Sequence, residues 1–218
     1  VLAILHQDER CVAVDKPSGV ATHRGWADDN DALLQRVRDA VDAYVYPIHR
    51  LDRGASGIAL FALDRDAARA FSDAWADADK RYLAITRGHP PEHLVIDHAI
   101  PKAPDEPRVP AVTEIWRRDT FGRYALVEAR PRTGRLHQIR RHLKHIACPL
   151  IGDVRYGKGE HNRLFRERFA LHRLALHCAS LRVLHPDGGT LAIDCALAPD
   201  LAAAIEAARA AFAIAAAR

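Results

Sequence analysis

Residues 49–63 constrain this chain more than any other stretch. His49-Arg50-Leu51-Asp52-Arg53-Gly54-Ala55-Ser56-Gly57 sets one carboxylate between two arginines and follows it with a turn of small residues. Ile58-Ala59-Leu60-Phe61-Ala62-Leu63 then runs without a charge. A run this short and this apolar predicts a buried strand. Asp52 therefore sits in a tight loop at the mouth of a strand, where a rigid scaffold can hold a reactive side chain. An ionised aspartate fixed there can act as a nucleophile or a base. On spacing alone, the same residues also describe a surface ion pair.

The rest of the chain surrounds that strand with short elements. Cys11-Val12-Ala13-Val14-Asp15 alternates weakly as a strand, and Lys16-Pro17-Ser18-Gly19 ends it. Thr22-His23-Arg24-Gly25-Trp26 reads as a basic and aromatic loop, either plain surface or a nucleic-acid contact. Asp28 to Tyr44 predicts a helix led by acidic residues, with Leu33, Leu34, Val37 and Val41 on one stripe. Asp64 can cap a second helix reaching Asp79, with Ala68, Phe71 and Trp75 on one face. Lys80 to Gly88 alternates as a strand that carries Tyr82, by itself an ordinary half-buried strand tyrosine.

Residues 89–110, rich in proline and charge, are expected to connect elements rather than build core. Further strands are expected over 111–116 and 123–129. A hairpin over 181–184 and 191–195 would turn at Gly188-Gly189. An alanine-rich helix is expected over 200–217. The irregular order of strands and helices fits an α+β fold with a mixed, mainly antiparallel sheet better than regular βαβ winding. A chain of 218 residues can bury a real core, and one domain over 1–218 is expected.

Composition removes several classes. No window approaches the ~18 uninterrupted apolar residues of a membrane span, and no charged-apolar-small leader opens the chain. The first residue is Val and Met is absent, which is compatible with a trimmed N-terminus. Four cysteines without a CxxC pair fit a reducing cytosol better than a disulfide framework or a zinc site. His137, His142 and His145 cluster, but no carboxylate or cysteine joins them at ligand spacing, so no metal is expected. A net charge of +4 and a pI near 9.0 permit a nucleic-acid partner without requiring one.

The second dense motif is Thr133-Gly134-Arg135-Leu136-His137-Gln138-Ile139-Arg140-Arg141-His142-Leu143-Lys144-His145-Ile146. On a helical wheel Leu136, Ile139, Leu143 and Ile146 form a stripe toward the core, and Arg141 and Lys144 face away. Arg140 lies at the border, where its stem can pack while its head reaches a cleft. For Arg141 and Lys144 a solvated face and a phosphate contact are equally good descriptions.

These motifs together resemble the RluA-type pseudouridine synthases. His49 to Gly57 is similar to the family's HRLDxxTSG signature, with Ala55 where Thr is usual. Lys80 to Gly88 resembles its KxYxAxxxG strand, and Thr133 to His142 its TGRxHQxRxH segment. Lys16-Pro17-Ser18-Gly19 resembles its KPxG loop. Cys148 to Gly157 resembles its HPIxGDxxYG turn, and Leu176-His177-Cys178 with His185-Pro186 its LHA and HP strands. The resemblance covers roughly residues 2–198, with no S4-type RNA-binding domain expected.

The resemblance implies the pseudouridine synthase fold with a central active-site cleft, a uridine-to-pseudouridine isomerisation in RNA, and no cofactor. It makes Asp52 the catalytic residue, places Tyr82 against the flipped uracil, and pairs Arg140 with Asp52 to orient it. It puts Arg50 into the RNA stack, and Arg53, Arg135, His137, Arg141 and Lys144 along the RNA. The Arg140 to His145 continuation is closest to the branch that acts on uridine 65 of tRNA; the large-subunit rRNA branch is the alternative. A cytoplasmic monomer is expected. A non-catalytic RNA-binding module and a hydrolytic glycosidase are the competing classes, the latter lacking an evident second carboxylate near the motif.

Overall fold

The computed structural model describes residues 2–23, 32–102 and 106–216. In chain order the elements are β1 (Ala3–Gln7), β2 (Cys11–Lys16), α1 (Leu33–Val41), β3 (Tyr46–Pro47), β4 (Ser56–Ala62) and α2 (Arg65–Ala74). There follow β5 (Asp79–Arg87), β6 (His93–Asp97), β7 (Ile100–Pro101), β8 (Arg108–Val109), β9 (Val112–Phe121) and β10 (Tyr124–Pro131). The chain closes with α3 (Gln138–His145), α4 (Gly159–Phe169), β11 (Leu176–Leu184), β12 (Thr190–Asp194) and α5 (Pro199–Ala216). It forms two compact units, one of Val1–Lys80 with Cys178–Ala196 and the other of Arg81–His177 with Leu197–Arg218. The result is an α+β fold whose strands pair mainly antiparallel, as the irregular element order predicts.

In the first unit β2 pairs antiparallel with both β1 and β4, β3 adds to β4, and β11 forms a hairpin with β12. β4 is buried along its whole length, so it reads as apolar without alternation. Burying Leu60 or Phe61 contributes about 1.5–3 kcal/mol each, and β4 is the beam from which the Asp52 loop hangs. Leu33 and Val37 of α1 pack with Val12, Val14, Ala59 and Phe61. β4 approaches β11 so closely that a Cβ on Gly57 would lie 2.2 Å from the Cys178 carbonyl oxygen.

In the second unit β10 lies between β5 and β9, and β6 pairs with the far side of β9. Tyr124, Phe165 and Phe169 form its aromatic core, with Leu201 and Ile205 of α5 packed in and Phe212 at the margin. The predicted hairpin turns where expected, at Gly188-Gly189, and β9 and β10 form a further hairpin that turns at Gly122, all three glycines with positive φ.

Several expectations are corrected. Residues 93–97 form the edge strand β6, because Leu94-Val95-Ile96 is an apolar run hidden among prolines and charges. α1 ends at Val41, where Asp42 turns left-handed (φ 49°); its predicted start over 28–31 and the Arg24-Gly25-Trp26 loop lie outside the described residues. α2 is capped by Asp64, whose side chain accepts from the Ala67 amide at 2.8 Å, but stops at Ala74. Its buried residues are Ala67 and Phe71. α4 was not anticipated at all; it buries only His161, Phe165 and Phe169 amid charged residues.

Candidate active site

The Asp52 loop is braced from inside by one ammonium group. Lys16 is 0% exposed, and its Nζ donates to the carbonyls of Val20 (2.7 Å), Pro17 (3.0 Å) and Arg53 (3.3 Å). It thus ties the turn after β2 to the residue following Asp52. The Gly19 amide also donates to the Arg53 carbonyl at 2.8 Å, and Ser18 Oγ to that of Gly54 at 2.7 Å. Thr22 Oγ1 exchanges hydrogen bonds with both backbone groups of Leu51. The Ala55 amide closes a turn onto the Asp52 carbonyl at 3.0 Å, and the buried Ala55 side chain fits there where the family motif has Thr. The half-buried Asp52 is therefore flanked on one side by backbone that Thr22 holds and on the other by backbone that the Lys16-Pro17-Ser18-Gly19 loop holds.

His49 secures the other end of the loop. Its Nε2 accepts from the Leu60 amide of β4 at 3.2 Å, and its ring stacks on Trp75 at 4.6 Å. Burial, reinforced by the positive Lys80, pushes the imidazole down to about 3, which keeps Nε2 an acceptor. In the unfolded chain the ring titrates near 6.5. Between these values the unfolded state binds a proton that the folded state does not, so this contribution is full above pH 6.5 and is lost as pH falls toward 3. His49→Gln is accordingly expected to flatten the fall of Tm between pH 6.5 and 4; an unchanged slope would show that His49 is not held neutral.

In the second unit Tyr82 is buried on β5 opposite Ala129. The chain after α3 returns along the same strand: the Arg87 amide donates to Pro149 and the Ile151 amide to Ile85, both at 2.9 Å. α3 is preceded by His137, left-handed at φ 54°. Gln138 replaces a cap: its Oε1 accepts from Thr133 Oγ1 (2.7 Å) and the Arg135 amide (3.0 Å), while its Nε2 donates to Val112 O and Thr113 Oγ1. Ile139 and Leu143 face the core as expected, but Leu136 is 45% exposed, because the helix starts after it. Fully buried His142 meets Thr113 Oγ1 and the His98 carbonyl instead.

Arg140 carries the clearest geometry of this unit. Its Nε donates to Asp153 Oδ2 at 2.7 Å and its Nη2 to Oδ1 at 2.9 Å, a bidentate pair buried on both sides. The Arg155 and Tyr156 amides also donate to Oδ1. Burial pushes the Asp153 carboxyl up, but these hydrogen bonds and the Arg140 charge outweigh it and hold it below the usual range. The turn leaves no room for side chains at its glycines. A Cβ on Gly152, at φ +74°, would lie 1.8 Å from the Arg173 carbonyl oxygen. Gly152→Ala is expected to destabilise the protein by about 3 kcal/mol, combining overpacking against backbone with left-handed strain, as read by urea unfolding.

Tyr156 gathers the basic side chains. Its ring lies 5.2 Å from the Arg140 guanidinium, 5.5 Å from Arg155, 5.9 Å from Arg141 and 5.8 Å from Lys144 Nζ. Its hydroxyl accepts from Arg141 Nε at 3.1 Å and meets His137 Nδ1 at 3.2 Å. His137, Arg140, Arg141 and Lys144 are thus brought together in the second unit, whereas Arg135 turns to the Pro110 carbonyl. Arg50, Asp52 and Arg53 share one loop of the first unit; Arg50 is exposed, and Arg53 Nε donates to the Gly19 carbonyl. Lys16, Thr22, His49, Asp153, Tyr156 and Asn162 were not singled out as site residues from the sequence. The family motifs contain Lys16, His49, Asp153 and Tyr156, but Arg53 for Lys16, Leu60 and Trp75 for His49, Arg140 for Asp153 and Arg141 for Tyr156 lie at sequence separations that no local pattern shows.

The first unit carries a loop-borne aspartate, and the second carries a buried strand tyrosine and a buried arginine fork, each within a motif that resembles one class of enzyme. Residues 10–145 match the family described as RNA pseudouridylate synthase. The tRNA pseudouridine synthase C of Vibrio parahaemolyticus is 38% identical, with 85% of each chain covered. That of Vibrio cholerae is 37% identical, covering 85% of this chain and 86% of its own. Human RNA Pseudouridylate Synthase Domain Containing 4 superposes with a TM-score of 0.78 at 26% identity, over 95% of this chain and 93% of its own. Human RNA Pseudouridylate Synthase Domain Containing 1 shares the fold at the same TM-score of 0.78 and 23% identity. The chain belongs to the RNA pseudouridine synthase family, a family of isomerases. Among the described residues no helix is long and apolar enough to cross a membrane.

Proposed function

We propose that this chain converts a uridine of tRNA to pseudouridine, with uridine 65 as the target. The observation that carries the reading is the His49 to Gly57 motif in a chain of which the relatives named tRNA pseudouridine synthase C cover 85%. The family match runs through both units, and we read the chain as one catalytic domain, acting as a cytoplasmic monomer.

The reaction breaks the N1–C1′ bond of uridine, turns the base and forms C5–C1′; the C5 hydrogen leaves as a proton and N1 takes one up. Reactant and product have the same atoms and oxidation level, so the chemistry requires no nucleotide or redox partner. Asp52 carries the covalent or ribose-activating role. Tyr82 packs on the uracil and assists loss of the C5 proton. Arg140 serves Asp52. Extruding the base costs a few kcal/mol, which phosphate contacts by Arg50, Arg53, Arg135, His137, Arg141 and Lys144 offset.

The test is carbodiimide mapping of pseudouridine in tRNA and large-subunit rRNA incubated with the protein, with Asp52→Asn as the blank. An Asp52-dependent signal at tRNA position 65 is expected. A signal only in rRNA would overturn the substrate, release of free uracil would point to a glycosidase, and bound but unmodified RNA would point to a binding module.

A further inference from the structure

Asp153 is the only buried carboxylate among the described residues, at 1% exposure, and the reaction as read above gives it no task. It nevertheless engages the Nε and Nη2 edge of Arg140 with both oxygens. A guanidinium is planar, so a carboxylate gripping two of its donors fixes the plane of the head and its rotation about the stem. Asp153 is itself over-determined. Two backbone amides, of Arg155 and Tyr156, hold its Oδ1. The turn that carries it is clamped by Asn162 of α4, whose Oδ1 accepts from the Gly152 amide at 2.8 Å and whose Nδ2 donates to the Asp153 carbonyl at 2.9 Å. The Cβ-free positions Gly152 and Gly157 let the backbone close around it, since a Cβ on Gly157 would lie 2.3 Å from the Asp153 carbonyl oxygen. Val154, between Asp153 and Arg155, is 97% exposed, so the turn points away from the core while its carboxylate points in.

We propose that Asp153 is a positioning residue for the isomerisation: it sets the pose of Arg140, and Asn162 sets the pose of Asp153. The inference rests on the reading in which Arg140 serves the reaction. Displacing a positioned group by about 1 Å can reduce a rate on the order of 100-fold, and Asp153→Glu does this while keeping the charge that the buried guanidinium needs. Two quantities are read together: single-turnover rate on tRNA with enzyme in excess, and the Nε–H resonance of Arg140 in 15N-labelled protein, assigned by its loss in Arg140→Lys.

The expected result is a fall in rate of about 10- to 100-fold, a shifted or broadened Arg140 Nε–H signal, tRNA affinity within about twofold, and a Tm lowered by only a few degrees. A moved resonance with an unchanged rate would overturn the proposal, because the pose would then not be used. A lowered rate with an unmoved resonance would overturn it too, because Asp153 would then act by another route. An unchanged rate and resonance would do the same. Asn162→Ala leaves both charges in place and is held to the same outcomes if Asp153→Glu does not fold. Wild-type turnover by Asp52→Asn would instead sink the underlying reading, whatever Asp153→Glu does.

Discussion

Asp52→Asn is expected to lower the single-turnover rate of uridine isomerisation by on the order of 10⁴-fold or more, equivalent to about 5 kcal/mol of transition-state stabilisation. The amide has the shape of the carboxylate but neither its charge nor its nucleophilicity. The loop should survive, because what holds it is backbone: Lys16 and Gly19 grip the Arg53 carbonyl, and Thr22 grips Leu51. Tm within about 2 °C of the parent and tRNA affinity within about twofold are therefore expected alongside the lost turnover. Tritium release from C5-labelled uridine in tRNA measures the step directly, since that hydrogen leaves during the reaction. Near-parental release by the variant would remove Asp52 from the chemistry.

Lys16→Met is expected to give the second-largest effect, on stability and activity together. The methionine fills the volume, but the carbonyls of Pro17 and Val20 lose the ammonium donor, and that of Arg53 is left with the Gly19 amide. Leaving buried acceptors unsatisfied costs roughly 1–3 kcal/mol each where water cannot replace the donor. Partial relaxation of the turn brings the expected loss to about 3 kcal/mol. Activity should fall even at temperatures where the variant is folded, because the Arg53 carbonyl is one residue from Asp52. Urea unfolding and turnover at 15 °C separate the two. A variant as active as the parent below its transition would show that Lys16 supports the fold and not the loop's geometry.

The sequence made much of this molecule legible, and the reasons are local. β4 announced itself as an uncharged run, Asp64 as a cap, and Gly188-Gly189 as a hairpin turn, because each depends on residues adjacent in the chain. β6 was hidden because its apolar residues are outnumbered by neighbouring prolines and charges. α4 was hidden because it buries one narrow stripe amid arginines and glutamates. At the site, the motif match singled out Asp52, Tyr82 and Arg140. It did not disclose that Lys16, whose charge suggests surface, is buried, nor that Arg140 has Asp153 as a bidentate partner. Both are tertiary facts: a buried charge is tolerated only where distant carbonyls or a carboxylate converge on it, and convergence has no sequence period.

The path of the chain through its two units has a consequence for biosynthesis. The first unit is built from Val1–Lys80 and Cys178–Ala196, with the whole of 81–177 intervening. β4, from which the Asp52 loop extends, meets its neighbour β11 only after that second segment has been made. A ribosome that has already delivered Asp52, Tyr82, Arg140 and Asp153 has therefore not yet delivered the strand against which Gly57 packs. Nascent chains arrested before Cys178 should remain protease-sensitive at the Asp52 loop, and protection should arrive late and abruptly, once β11 and β12 clear the exit tunnel.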